Sequence, residues 1–238
     1  QLNITEIINQ INDKTKVIIL NSPNNPTGAI YDIKDIKHLS DICSKKNITI
    51  ILDYTYEDYI YGTDYNPLQD FNSLENLIIV GSFSKTFGIT GLRIGYLCAD
   101  PYLIDNLCKI QDTISICAPV ISQNILLELI KSETEAINKN KLSAELSRNT
   151  LIELIKAIPQ LDWITTNGAF YAFLKLPNDI DSWEFSKDLI VNKSVLVLPG
   201  TIFGKNWKSY VRIAYGAVDL NEIDEGIKRI KTYFDETT

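Results

Sequence analysis

Methionine is absent from all 238 residues, histidine occurs once, as His38, and the four cysteines are Cys43, Cys98, Cys108 and Cys117. There is no Cys-x-x-Cys spacing, and one histidine cannot complete a Cys/His set, so no metal centre is expected. The cysteines read as reduced, mostly buried thiols of a cytoplasmic protein. Long apolar runs are also missing. Blocks such as Val17–Leu20 and Leu77–Val80 fall far short of the roughly 20 residues that a membrane-spanning helix needs. Gln1–Glu6 has neither the basic start nor the apolar core of a signal peptide. A basic excess is absent too: the net charge is -7, which argues against nucleic acid or an anionic membrane as partner. With no methionine even at position 1, the chain is expected to be part of a longer product.

What is present is the composition of a folded globular protein, 45% hydrophobic and 22% charged. The length suits one large or two small domains. Val17-Ile18-Ile19-Leu20 is an unbroken apolar run, as expected of a parallel strand covered on both faces. Asp32 precedes Ile33, Ile36, Leu39 and Ile42, whose three- and four-residue spacing predicts a helix capped by Asp32. Further strands are expected at Ile48–Leu52, Leu77–Val80 and Gly95–Cys98. Their alternation predicts an α/β fold with a mostly parallel sheet.

Helical patterns then dominate from Asp100 to Gln111 and from Ser122 to Ile158, the second as one long helix or a broken pair ahead of Pro159. Short strands are expected at Phe170–Leu176, Val195–Leu198 and Tyr210–Ala214, with helices over Trp183–Val191 and Leu220–Phe234. These elements predict a smaller α+β domain, residues 146–238, after a larger one, residues 1–145. The three tryptophans read as packing residues, and His38, Arg148 and Arg229 as solvated side chains on helices.

The stretch with the most chemistry is Gly81-Ser82-Phe83-Ser84-Lys85-Thr86-Phe87-Gly88-Ile89-Thr90-Gly91-Leu92-Arg93-Ile94-Gly95. One lysine sits at a strand end between hydroxyl residues, with an arginine eight positions on. That pattern suits a cofactor bearing both an aldehyde and a phosphate. A lysine amine forms a Schiff base with a carbonyl. Serine hydroxyls and an arginine fork hold phosphate oxygens, and glycines let backbone approach a ligand. Asn25, Asp53 and Lys85 all follow expected strand ends, where open α/β sheets bind ligands.

At these residues the chain resembles the class I/II aminotransferases, fold-type I enzymes that use pyridoxal 5'-phosphate (PLP). Three further segments agree in order: Asn21-Ser22-Pro23-Asn24-Asn25-Pro26-Thr27-Gly28 with the family's Asn-Pro-Thr-Gly turn, Asp53-Tyr54-Thr55-Tyr56 with its Asp-x-x-Tyr element, and Tyr210-Val211-Arg212-Ile213-Ala214 with its late arginine segment. The resemblance runs from about Lys16 to the C-terminus. It implies a fold-type I large domain plus a smaller α+β C-terminal domain. It also implies a Schiff base from Lys85, which then acts as general acid and base. Asp53 would pair with the pyridine nitrogen, and Tyr56 and Asn25 would bond the ring oxygen. Ser82, Ser84 and Arg93 would hold the phosphate, and Arg212 the substrate α-carboxylate.

The resemblance further implies an amino acid and a 2-oxo acid as substrates and a homodimer when full length. Family members usually carry, ahead of the Asn-Pro-Thr-Gly turn, a phosphate-binding turn and an aromatic residue that stacks on the ring. Neither is recognisable here, so the chain is expected to be a C-terminal part lacking the N-terminal part, with an incomplete site. Dicarboxylate specialists often take a second arginine from the neighbouring subunit. No arginine lies between Arg93 and Arg148, which leans toward neutral or aromatic substrates. A C–S lyase, a decarboxylase, a cyclopropane-carboxylate synthase and an aminotransferase-like regulator domain share these motifs and stay open as alternatives.

Overall fold

Short helix α1 (Ile4–Gln10) starts where the Asn3 side chain accepts from Glu6 N, and strand β1 (Val17–Asn21) follows. Asp32 caps helix α2 (Ile33–Ser44) as its sequence predicts, its carboxylate accepting from Lys34 N at 2.8 Å. Such a cap satisfies a backbone N–H that has no partner inside the helix. Strand β2 (Thr49–Asp53), one-turn helix α3 (Pro67–Asp70), strand β3 (Leu77–Ser82), one-turn helix α4 (Phe83–Thr86) and strand β4 (Gly95–Cys98) come next. The computed structural model describes residues 2–62, 65–71, 73–132, 134–177 and 180–237.

β1, β2 and β3 pair in parallel and β4 joins β3 antiparallel, giving the order β1-β2-β3-β4. Ile50, Leu52, Leu77 and Ile79 bury within the central strands and pack with Ile36, Leu39 and Cys43 of α2. The outer strand departs from expectation. Leu20 is buried, but Val17 and Ile19 are 49% and 71% exposed. An edge strand turns alternate side chains to opposite faces, and here only the face toward α1 and α2 is covered by the described residues.

Helix α5 (Pro101–Ile114) is capped by Asp100. Over the next expected helical stretch, α6 spans Val120–Ser132 and α7 spans Thr134–Ile155, while Glu133 lies outside the described residues. Contacts divide the chain into two compact units, one of Gln1–Asn24 with Ala29–Asn140, the other of Asn25–Gly28 with Lys141–Thr238. The division falls inside α7.

In the second unit strand β5 (Tyr171–Lys175), helix α8 (Ser182–Asp188), strand β6 (Leu198–Pro199), strand β7 (Tyr210–Ala214) and helix α9 (Leu220–Thr237) follow α7. The sheet order is β5-β7-β6, with both pairings antiparallel. The strand expected over Val195–Leu198 shortens because only Leu198 and Pro199 find partners, on Arg212 and Val211. Leu151, Ile155, Leu174, Phe185, Leu189, Val211, Tyr215, Ile227, Ile230 and Phe234 form one core. Apolar positions of α9 recur at helical spacing and account for its buried stripe.

Three smaller expectations are corrected. The thiols are not mostly buried: Cys43 is buried and Cys98 half-buried, but Cys108 and Cys117 are exposed, because the first faces outward on α5 and the second lies past its end. Trp183, on the first turn of α8, is 55% exposed rather than packed. Arg148 is no solvated side chain. Its Nε donates to Thr166 O at 2.9 Å and its Nη2 to Asn167 Oδ1 at 3.1 Å, so it ties a loop to α7.

Candidate active site

The first unit gathers six of the expected residues along one edge of its sheet. Parallel pairing sets Asn21 beside Asp53 and Asp53 beside Val80, so β1 and β2 end together and β3 runs on to Ser82. Antiparallel pairing sets Ser82 beside Gly95, so β4 starts where β3 stops. Register alone therefore delivers Asp53, Ser82, Ser84, Lys85 and Arg93 to the carboxyl edge of the parallel strands, with Tyr56 in the turn after β2.

Local chemistry fixes each of them. Asp53 Oδ1 accepts from Thr55 N at 3.0 Å and from Thr55 Oγ1 at 2.6 Å, which sets the carboxylate plane at the strand end. The Ser82 hydroxyl caps α4, accepting from Ser84 N at 3.2 Å. Ser84 is buried, and Lys85 is half-buried on the same single turn. Arg93 takes a left-handed conformation, φ 51°, which ends the 3-10 turn Thr90–Leu92 and sends the chain into β4. A non-glycine residue held there costs roughly 1–3 kcal/mol. Its guanidinium is exposed and donates to Thr90 O at 3.0 Å.

Tyr56 is buried, with 6% of its surface exposed. Tyr54 OH donates to Tyr65 O, and Tyr65 OH donates to Ser22 Oγ at 3.0 Å. Burial holds the Tyr54 phenol well above its ordinary range, with the nearby Glu57 charge adding to it. Tyr65 is pushed up to about 12, again by burial first. Both stay neutral donors. Glu57 is pushed up to about 7, chiefly by burial, while the hydrogen bond from Tyr96 OH at 2.6 Å works the other way.

The second unit carries the other two expected residues, and it joins them. Arg212 Nη1 donates to Asn25 Oδ1 at 2.8 Å. The guanidinium carbon lies 4.3 Å from the centroid of the Tyr171 ring and 5.2 Å from that of Phe203. Tyr171 starts β5 and Phe203 ends the 3-10 turn Gly200–Phe203. Gly28 closes the Asn25 segment at φ +70°, and a Cβ there would come within 2.6 Å of Gly168 O. Only glycine meets both demands. Thr166 Oγ1 donates to Thr27 O at 2.8 Å and ties the segment down.

Each unit holds one group that fits an expected ligand, Arg212 an amino-acid carboxylate and Asp53 the ring nitrogen of PLP. Among the described residues the buried Nε of Arg212 has no hydrogen-bond partner, and a buried charged donor in that condition suits an anion. Asp53 Oδ2 accepts no hydrogen bond from the described residues, while Oδ1 is held by Thr55. A carboxylate oxygen fixed in this way suits a protonated ring nitrogen. Among the described residues no group of His, Cys, Asp and Glu could hold a metal ion.

A mostly parallel sheet with Lys85 at its carboxyl edge, in a chain that also folds a smaller α+β unit, is the fold of the PLP-dependent transferases of fold type I. The crystal structure of an aromatic aminotransferase from Pyrococcus horikoshii superposes with a TM-score of 0.91 at 29% identity, over 100% of this chain and 64% of that one. The family model for aminotransferase class I and II matches residues 1–230. The aspartate aminotransferase of Sulfurisphaera tokodaii is 35% identical over 98% of this chain and 60% of its own length. The (5-formylfuran-3-yl)methyl phosphate transaminase of Methanocaldococcus jannaschii is 34% identical over 95% and 60%. The chain belongs to the class I and II aminotransferase family. It spans about three fifths of the length of these curated relatives.

Proposed function

We propose that the protein is an amino-acid aminotransferase that moves an amino group between an L-amino acid and a 2-oxo acid on PLP. Bound PLP supplies a carbonyl that condenses with amines and a ring that takes up the electron pair left when the α-proton departs. Lys85 Nζ would hold that carbonyl covalently, and the same amine, once free, would take and return the proton of the substrate Cα. Asp53 keeps the pyridine nitrogen protonated, because a carboxylate favours the cationic partner. Tyr56 and Asn25 donate to the ring oxygen. Ser82, Ser84 and Arg93 hold the phosphate, and Arg212 takes the α-carboxylate.

The observation that carries this proposal is the placement of Lys85 on a single turn at the carboxyl edge, with Ser82 at its cap and Arg93 returned by β4. The protein is further proposed to be a cytoplasmic homodimer. Cysteines without disulfide partners fit a reducing compartment. Exposed Ile110, Ile114, Val120 and Ile121 fit a surface that a second subunit buries. Among the described residues no helix is long and apolar enough to cross a membrane.

The test is the absorption spectrum of the protein with PLP, before and after a pool of amino acids is added without any 2-oxo acid. Conversion of the cofactor to pyridoxamine phosphate supports transamination, and splitting the pool names the donor. Bound PLP that is never converted overturns it in favour of a lyase, a decarboxylase or a regulator. Sedimentation checks the dimer, and a monomer with full activity would refute it.

A further inference from the structure

The three residues after Tyr56 have no part in the proposal above, yet their side chains reach the segments that build the lysine turn. The backbone curls tightly here: Glu57 N donates to Tyr54 O at 3.1 Å and Tyr59 N to Tyr56 O at 2.9 Å. From this curl Glu57 Oε2 accepts from Tyr96 OH on β4. Asp58 Oδ2 accepts from Thr86 Oγ1 on α4. Tyr59 OH donates to the carbonyl of Lys85 at 3.0 Å. Tyr59 and Thr86 are both buried.

Helix α4 has only four residues. One helical turn has almost no stability of its own, because nucleation fixes several dihedrals for one hydrogen bond. Its orientation must therefore come from its attachments. Ser82 secures the start, and Asp58 and Tyr59 secure Thr86 and Lys85 at the end. The same short segment carries Asp53 and Tyr56.

We infer that Asp58 and Tyr59 are positioning residues for Lys85: by holding the Thr86 hydroxyl and the Lys85 carbonyl they fix the direction in which the lysine side chain leaves its turn, at set spacing from Asp53 and Tyr56. The inference rests on the proposed role of Lys85 as the lysine that bonds PLP.

The test uses the PLP-loaded protein and two readouts besides turnover. One is the rate at which borohydride fixes PLP onto Lys85, followed by peptide mass spectrometry. The other is the pH midpoint of the visible absorption of bound PLP. Tyr59→Phe removes one oxygen and leaves the ring in place. Thr86→Val keeps the shape of the side chain and removes the donor, and Thr86→Ser restores it. Tyr59→Phe and Thr86→Val should each slow fixation about tenfold, as expected for a displaced reacting group, and shift the midpoint. Thr86→Ser should behave as wild type.

Wild-type fixation rates and midpoints in both Tyr59→Phe and Thr86→Val would overturn the inference. So would a loss that tracks lowered thermal stability and that Thr86→Ser does not restore. If Thr86→Val fails to fold, Tyr59→Phe decides alone. A wild-type protein that is never labelled at Lys85 is a different result, since it removes the proposed function and with it this inference.

Discussion

Arg212 and Asn25 are 187 positions apart in the chain, yet the arginine fork donates to the asparagine amide oxygen at 2.8 Å within one compact unit. The bond uses one face of the fork, and the Tyr171 ring supports its plane. Among the described residues the buried Nε has no hydrogen-bond partner. The arginine is thus oriented by a neutral group, which does not compensate its charge.

Replacing Arg212 by lysine should therefore lower kcat/KM for amino-acid substrates roughly ten- to hundredfold, the worth of a charge-assisted hydrogen bond, since a point charge cannot reproduce the fork. Asn25→Ala should raise KM less, because the stack on Tyr171 remains. Steady-state kinetics on both variants check this. An Arg212→Lys enzyme with unchanged KM would remove the arginine from substrate binding.

Lys85→Ala should abolish borohydride fixation of PLP and lower turnover by roughly 10²–10⁴-fold, the usual share of a positioned acid-base group. An added small primary amine should restore part of the turnover but none of the fixation to protein. Fixation at another lysine, found by peptide mapping, would show that the wrong residue has been named.

Glu57 ties stability to pH. Its carboxyl titrates near 4.5 in the unfolded chain and is raised to about 7 in the folded one. The folded state therefore binds the extra proton between those values, and stability conferred by the neutral acid is lost as pH rises through that window. The charges facing it are Asp58 and, if ionised, the phenols of Tyr54 and Tyr96. Glu57→Gln should flatten this part of the stability curve, as read by urea unfolding at a series of pH values. An identical slope in the variant would assign the dependence elsewhere.

Gly28→Ala should destabilise the protein by about 1–3 kcal/mol, because a Cβ at φ +70° meets the Gly168 carbonyl, a backbone atom that cannot swing away. Gly91→Ala should stay within about 0.5 kcal/mol, as no atom of the described residues stands within 4 Å of its Cβ position. Thermal unfolding of the pair compares them directly.

Much of the fold was legible because its signals are local. Asp32 is followed by apolar residues at helical spacing, and Leu77–Val80 is an apolar block that ends at a serine cap, so the sequence placed α2 and β3 correctly. The position of Lys85 just past a strand end was legible for the same reason. The exposed side of β1 was not, because an apolar run reports what a strand can bury and not what covers it. Nor were the hydrogen bonds of Asp58 and Tyr59, whose partners are 28 and 26 positions away.

The sequence by itself determined which segments become strands and helices, and which residues carry amine, carboxylate, hydroxyl and guanidinium chemistry. Those properties depend on neighbours within a few positions, where backbone propensity and side-chain spacing act. Only the tertiary structure decided that β4 returns antiparallel beside β3 and brings Arg93 to the edge near Ser82, and that Asn25 joins Arg212. Such pairings are set by strand register and by packing between distant segments, and their energy appears only once the chain has closed the loops between them.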